Sequence, residues 1–240
     1  MNIALIFAGG TGQRMNTRAI PKQFLQLYGK PIIIYTLEQF SCHPEIDGIG
    51  VVCLEGWQDY LVSSIQKFGI EKVSFIVPGG KTGQESIFHG VQKLTELYPE
   101  DTIVLVHDGV RPMIDADTIH ANICCVQEYG SAITVSPAIE TVTIQGADMS
   151  QVGYIIDRKK CQMAKAPQSF YLGDLYRTHL QAKELGKTDF IDSACLMQSA
   201  GYSLHTVVGS DRNIKITTPT DFYIFRALMD AKENEQIMGQ

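Results

Sequence analysis

The chain has 240 residues, more than the roughly 100–200 usual for one domain, yet within reach of one α/β unit carrying an excursion. Forty-five per cent of the residues are hydrophobic, and 21 glycines with 9 prolines are an ordinary share, so disordered, collagen-like and low-complexity classes are excluded. A net charge of −6 argues against a nucleic-acid binder, which needs a basic face.

In chain order, apolar β-type runs alternate with amphipathic stretches. Ile3–Ala8, Ile49–Leu54, Val73–Val77, Thr102–His107 and Ala132–Ser136 read as strands, separated by helical patterns near 31–41, 57–68, 84–97 and 115–129. Near-continuous Val/Ile/Leu strands between helices predict a mostly parallel sheet covered on both faces. Functional residues of such a sheet collect beyond the carboxyl ends of its strands, so chemistry is expected in the loops after residues 8, 77 and 107. From about Ile139 to Lys160 the pattern changes. Thr141–Gln145 and Gly153–Ile156 flank Gly146-Ala147-Asp148 with no helix between them, which predicts a β-hairpin. It is either a surface hairpin or, since both its edges are exposed, an arm that pairs with another subunit. A short strand near Ser169–Leu172, helices near 173–185 and 191–200, strands Ser203–Val208 and Ile214–Thr217, and a helix from about 219 complete the pattern. The polar tail Lys232–Gln240 is expected to fray. Residues 1–240 read as one domain, with the arm at about 139–160 as an excursion.

No run approaches the roughly 18 apolar residues of a membrane helix, and the N-terminus has neither a basic leader nor a long apolar stretch, so a soluble cytoplasmic protein is expected. Six cysteines (42, 53, 124, 125, 161 and 195) lack Cys-x-x-Cys spacing and mostly fall in apolar runs, which predicts reduced core thiols.

The charge is unevenly spread. Met1 to Leu37 holds Arg14, Arg18, Lys22 and Lys30 and no acid, a local +4 against −10 for the rest. A small polyphosphate needs only such a patch. Within it, the first strand runs into Gly9-Gly10-Thr11-Gly12-Gln13-Arg14-Met15. Three glycines let backbone N–H groups approach an anion and Arg14 adds a forked donor, although a Gly-rich turn also serves purely steric ends. Two familiar phosphate motifs fail. The dinucleotide fingerprint would need glycine at Met15, and a P-loop would need glycine at Phe75 or Gln181 ahead of the two Gly-Lys-Thr triplets.

The residues after the loop are more specific: Ile20-Pro21-Lys22-Gln23-Phe24, then Gly29-Lys30-Pro31-Ile32. Gly-Gly-x-Gly-x-Arg-Met, Pro-Lys-Gln and Gly-Lys-Pro-Ile together resemble the N-terminal signature of nucleotidyltransferases. His107-Asp108-Gly109-Val110-Arg111-Pro112, Ala166-Pro167-Gln168-Ser169-Phe170 and Asn213-Ile214-Lys215-Ile216-Thr217 extend the resemblance to the cytidylyltransferases acting on ribitol 5-phosphate or 2-C-methyl-D-erythritol 4-phosphate. The likeness spans residues 3 to about 225.

This resemblance implies a Rossmann-like three-layer α/β/α sandwich and a homodimer in which a β-arm reaches over the partner's active site. It also implies a Mg²⁺-dependent reaction of CTP with a polyol phosphate that releases pyrophosphate and supplies a precursor of cell-wall or capsule polysaccharide. Carried over position by position, it puts the CTP phosphates over Ala8, Gly9, Gly10, Thr11 and Gly12, with Arg14 and Lys22 as catalytic cations. Gly79, Gly80 and Ser86 match the loop that holds the cytidine. Asp108 matches the acid that contacts the acceptor's hydroxyls and lies near the metal, against a plain Asx turn at a strand end. Lys215 matches the lysine that reaches the acceptor phosphate, against an exposed strand lysine. Arg158 matches an arginine donated across the dimer, against a surface ion pair with Asp157. Arg111 is assigned to holding the loop and His107 to the core.

Two departures bear on the acceptor. Ala166 stands where methylerythritol enzymes are expected to carry threonine, and Gly83 where arginine is usual. These, with Gly83-Gln84-Glu85-Ser86, favour ribitol 5-phosphate. The competing readings are the methylerythritol acceptor, another linear polyol or ketose phosphate, a nucleotide-binding regulatory protein without turnover, and a nicotinamide oxidoreductase.

Overall fold

The computed structural model describes residues 1–10 and 20–238. Strand β1 (Asn2–Ala8) enters the first loop, and a 3₁₀ turn at Lys22–Phe24 leads to the short pair β2 (Gln26–Leu27) and β3 (Lys30–Pro31). Helix α1 (Ile32–Cys42), β4 (Gly48–Cys53), α2 (Gln58–Lys67), β5 (Val73–Pro78), α3 (Gly83–Leu97), β6 (Ile103–Asp108), α4 (Ala116–Tyr129) and β7 (Ser131–Pro137) then alternate. The hairpin β8 (Val142–Gln145) and β9 (Val152–Ile156) precedes β10 (Gln162–Tyr171), α5 (Leu172–Glu184), α6 (Ser193–Ser199), β11 (Thr206–Val208) and α7 (Pro219–Met238).

Seven strands form the central sheet in the order β11-β7-β10-β6-β1-β4-β5. All run parallel except β10, which lies antiparallel between β6 and β7. Side chains alternate across the strands and build a core on each face. Ile6, Val51 and Leu105 meet Ile33 and Leu37 of α1, Leu61 of α2 and Ile123 of α4, whereas Leu5, Val104 and Val135 meet Val91 of α3, Leu175 of α5 and Met197 of α6. This is the three-layer sandwich expected.

The chain moves from β1 outward to β4 and β5, then returns to β6 on the other flank of β1. The direction of winding therefore reverses between β1 and β6, and a crevice opens beyond their carboxyl ends. Phe7 faces Asp108 in register there, and Gly109 N–H donates to the Phe7 carbonyl.

Five expectations need correction. The strand expected near Ser169–Leu172 begins seven residues sooner, at Gln162: Met163 and Ala164 pair with Ser136 and Val135 before the register shifts at 165–167, around the cis Ala166–Pro167 peptide. Proline inside the strand disguises this run as two pieces. Ile214–Thr217 is no strand. Its one backbone bond to a distant segment is from Ile216 N–H to the Val110 carbonyl, and the alternation of Ile214 and Ile216 reflects burial against Val110 and Phe225 rather than a ladder. Strand β11 keeps just three residues of Ser203–Val208, and α7 continues to Met238, through most of the tail expected to fray. The cysteines are free, but only Cys53 is buried; Cys42, Cys124 and Cys195 lie exposed on helices α1, α4 and α6. No helix among the described residues is long and apolar enough to cross a membrane.

Candidate active site

The candidate site assembles around the β1–β6 crevice. Gly9 and Gly10 leave β1, while Thr11, Gly12 and Arg14 lie outside the described residues. Gly9 sits against the loop after β5. A Cβ at Gly9 would meet the Phe7 ring at 3.1 Å and Ser86 Oγ at 3.2 Å, and one at Gly79 would lie 3.3 Å from the Gly9 Cα, so both close approaches require glycine. Ser86 is buried in α3, where its hydroxyl accepts from Gly80 N–H at 2.9 Å and donates to the Thr82 carbonyl at 2.8 Å. Ala8, Gly9, Gly79, Gly80 and Ser86 are thus brought together, with Ser86 fastening the second loop.

Gln23 is a positioning residue that the motif match leaves without a role. Its amide is buried, and Nε2 donates to the carbonyls of Ala8 at 2.8 Å and Gly10 at 3.2 Å, tying the Pro-Lys-Gln turn to the start of the first loop. Beside it, Lys22 opens the 3₁₀ turn. Its charge reaches Asp221 at the start of α7: burial alone would raise that carboxyl, but the Thr218 and Thr217 N–H groups, the Thr218 hydroxyl and Lys22 together hold it low. Leu27, Ile32, Val110, Ile216 and Phe225 share one apolar cluster, which packs this N-terminal segment against the loop after β6 and the segment bearing Lys215. Lys30, unassigned from sequence, pairs with Glu38 at 2.6 Å, the first acid after the acid-free run.

Asp108 ends β6 between two cations. Arg111 Nε donates to Oδ2 at 2.8 Å and Lys215 Nζ to Oδ1 at 2.7 Å. Burial alone would push this carboxyl up, but the charges and hydrogen bonds of Lys215 and Arg111 overcome it and hold the group well below the usual carboxylate range. The carboxylate therefore serves side-chain cations rather than an Asx turn. Arg111 also donates to the Asn213 carbonyl at 3.0 Å, while Asn213 Nδ2 donates to the Ala166 carbonyl at 2.7 Å, joining β6, the β10 irregularity and the Lys215 segment. His107 is enclosed, with Nε2 3.1 Å from the Arg111 carbonyl, and burial brings it down to about 4, so it is neutral at pH 7.

A cleft of about 260 Å³ opens here. Asp108, Arg111 and Lys215 line it with Phe7, Ala166 and Gln168. Lys165 also lines it, an unforeseen cation whose pKa burial lowers. Gln168 braces the far wall: Oε1 accepts from Ala194 N–H at 2.8 Å and Nε2 donates to Asp192 Oδ2 at 2.9 Å. Sequence spacing carries no sign of the roles of Gln23, Gln168 and Asn213, because each acts by bonding backbone or a helix cap.

Arg158 lies apart, exposed at the base of the hairpin, and donates from Nη1 to the Ile139 carbonyl at 2.8 Å. Asp157 instead caps its own turn by accepting from Lys159 N–H, so the rival Asp157–Arg158 pair is not formed.

The donor set suits anions and hydroxyls. Asp108 is poorly suited to bind Mg²⁺, because each of its oxygens already faces a cation that repels another. Among the described residues, no group of three His, Cys, Asp or Glu side chains could hold a metal. The expectation that Asp108 lies near a metal does not fit this arrangement.

Comparison with known proteins agrees with this geometry. A family model described as IspD, 2-C-methyl-D-erythritol 4-phosphate cytidylyltransferase, matches residues 2–231. The chain is 52% identical over 240 residues, all of both chains, to ribitol-5-phosphate cytidylyltransferase of Vibrio parahaemolyticus serotype O3:K6. It is 36% identical to 2-C-methyl-D-erythritol 4-phosphate cytidylyltransferase of Clostridium botulinum, over 95% of this chain and 97% of that one. Among solved structures, 4-diphosphocytidyl-2C-methyl-D-erythritol synthase from Anaerococcus prevotii superposes with a TM-score of 0.81 at 26% identity, covering 96% of each chain.

Proposed function

The chain belongs to the IspD family of cytidylyltransferases, and on that premise we propose that it joins CTP to D-ribitol 5-phosphate, giving CDP-ribitol and pyrophosphate. The observation that carries the choice of acceptor is the full-length likeness to the ribitol enzyme. Ala166 in the cleft wall is in keeping with it.

An oxygen of the acceptor phosphate attacks the α-phosphorus of CTP. The bond from that phosphorus to the oxygen bridging the β-phosphate breaks, and pyrophosphate leaves with the electron pair. The attacking phosphate has a second pKa of ~6 and is largely dianionic at neutral pH. No proton has to be removed, so the neutral His107 is not needed as a base. The barrier is the approach of one anion to another, and it falls when fixed cations face the growing charge. Arg14 and Lys22 neutralise the triphosphate over the first loop. Lys215, held in readiness by Asp108, turns to the acceptor phosphate, and Asp108 takes up acceptor hydroxyls. The divalent cation expected with CTP, magnesium by preference, would add positive charge beside the triphosphate, and no described side chain is assigned to hold it.

The proposal includes a homodimer built through the arm, which positions Arg158 to reach the partner's acceptor phosphate. Val152, Tyr154 and Ile155 are exposed on β9, and the two-stranded β8–β9 sheet has no third strand among the described residues, both in keeping with a partner. The setting proposed is the cytoplasm, with CDP-ribitol as a precursor of cell-wall or capsule polysaccharide.

The test is pyrophosphate release from CTP with a panel of D-ribitol 5-phosphate, 2-C-methyl-D-erythritol 4-phosphate, D-ribulose 5-phosphate and glycerol 3-phosphate. Ribitol 5-phosphate is expected to give the highest kcat/KM, and ATP to replace CTP poorly. Preference for the methylerythritol substrate would reassign the acceptor. CTP binding without turnover on any acceptor would leave a regulatory protein.

A further inference from the structure

The cleft has a second polar wall that the reaction does not use. His179 of α5 and Ser193 of α6 both line it, each only 3% exposed, and neither His179 Nε2 nor Ser193 Oγ has a hydrogen-bond partner. The other buried side-chain atoms in that state among the described residues are Thr102 Oγ1, His107 Nδ1 and Asn213 Oδ1, and His107 lines the same cleft. Native proteins satisfy nearly all buried polar groups, so two unpartnered atoms on residues that line one cleft point to a ligand that completes the bonding.

The neighbours define what kind of ligand. Gln168 is committed to Ala194 N–H and Asp192, and Asp192 Oδ1 accepts from Cys195 N–H at 2.8 Å. Gln84 is committed too, donating to the Lys187 carbonyl and accepting from Phe190 N–H. These bonds fix the wall and occupy the Asp192 carboxylate. His179 packs against the Phe88 ring, and burial brings its pKa down to about 4, leaving a neutral imidazole. A neutral imidazole and a hydroxyl can each donate or accept one bond, which matches an alcohol. The cation assigned to the acceptor phosphate, Lys215, lines the same cleft.

We propose that His179 and Ser193 are specificity-determining residues that hydrogen-bond the acceptor's hydroxyl end, remote from its phosphate, and so select the length of the polyol chain. This rests on the reading of the protein as a polyol-phosphate cytidylyltransferase. A site built to bond a hydroxyl discriminates strongly against the analogue lacking it, because its own buried groups are then left unpaired.

The experiment compares D-ribitol 5-phosphate with its 1-deoxy analogue, which lacks only the terminal hydroxyl, in the wild type, Ser193→Ala, His179→Phe and the double variant. The wild type should favour the parent acceptor by at least roughly tenfold in kcat/KM. Each single variant should narrow that ratio and the double variant bring it within about threefold of unity, with KM for CTP unchanged. Without ligand, Ser193→Ala should melt no lower than the wild type, since it removes an unpaired hydroxyl, whereas a purely structural serine would lower Tm when lost. Equal use of both acceptors by the wild type, or a ratio that survives in the double variant, overturns the inference while leaving the cytidylyltransferase reading intact. No pyrophosphate release from any polyol phosphate in the wild type overturns both.

Discussion

Asp108 acts through its neighbours. Its two oxygens hold Arg111 and Lys215, and Lys215 arrives from 107 residues further along the chain. The motif residues were legible from sequence because their types and spacing are unusual. The supporting pairing was not, because nothing in a linear pattern shows which distant lysine meets which aspartate. The histidines carry a different consequence. His107 and His179 are both brought down by burial to about 4 from an ordinary value near 6.5. The unfolded chain therefore takes up two protons near pH 6.5 that the folded chain refuses until about pH 4, and stability falls as the pH drops across that window. Each histidine contributes roughly 3 kcal/mol of that loss. Asp108, whose folded pKa is depressed, extends the loss to still lower pH. Denaturant midpoints measured between pH 7 and 4 should show this slope, and His179→Phe should flatten it. An unchanged slope in the variant would remove His179 from the account.

At the scale of elements, the parallel strands and their helices were legible because each carries a clean period and a buried face. Strand β10 was not, since Lys165-Ala166-Pro167 interrupts its pairing with β7 and hides the seven residues before Ser169. That same interruption brings Lys165, Ala166 and Gln168 into the cleft. Gln168 then joins β10 to the start of α6 through two hydrogen bonds, one of them to the carboxylate that caps the helix. Gln168→Ala strands a helix N–H and loosens that cap, which should cost about 1–3 kcal/mol and lower Tm by roughly 3–8 °C. Scanning calorimetry decides it: a Tm within a degree or so of the wild type would mean the brace carries no stability.

For the whole molecule, the split of +4 and −10 along the chain was a usable sign of an anion site, although Lys30 proves to be consumed by Glu38 and only Lys22 of the four is both described and near the site. The hairpin was legible as a hairpin, because its two alternating runs and Gly146 turn are local. A partner in another chain leaves no such local trace. Replacing residues 141–156 with a short Gly-Ser turn should yield a species sedimenting at half the mass of the wild type. Its turnover should fall by about 10²–10³, the loss seen when one preorganised donor is removed. A variant that stays dimeric would move the interface elsewhere, and full activity in a monomer would take Arg158 out of the reaction.

The reversal of strand order beside β1 also sets a timetable for biosynthesis. Strands β1, β4 and β5 leave the ribosome early and can pair at once, but β6 must return across β1, and β10 must slot in beside it much later. Lys215 emerges last of the cleft-lining residues, after all seven strands of the sheet have been made. Until it does, a nascent chain holds Asp108 beside Arg111 alone. Premature termination between β11 and that lysine leaves a full set of strands around an unfinished pocket. Stabilisation by bound substrate is therefore open to a chain that has passed Lys215 and closed to the fragments that stop short of it.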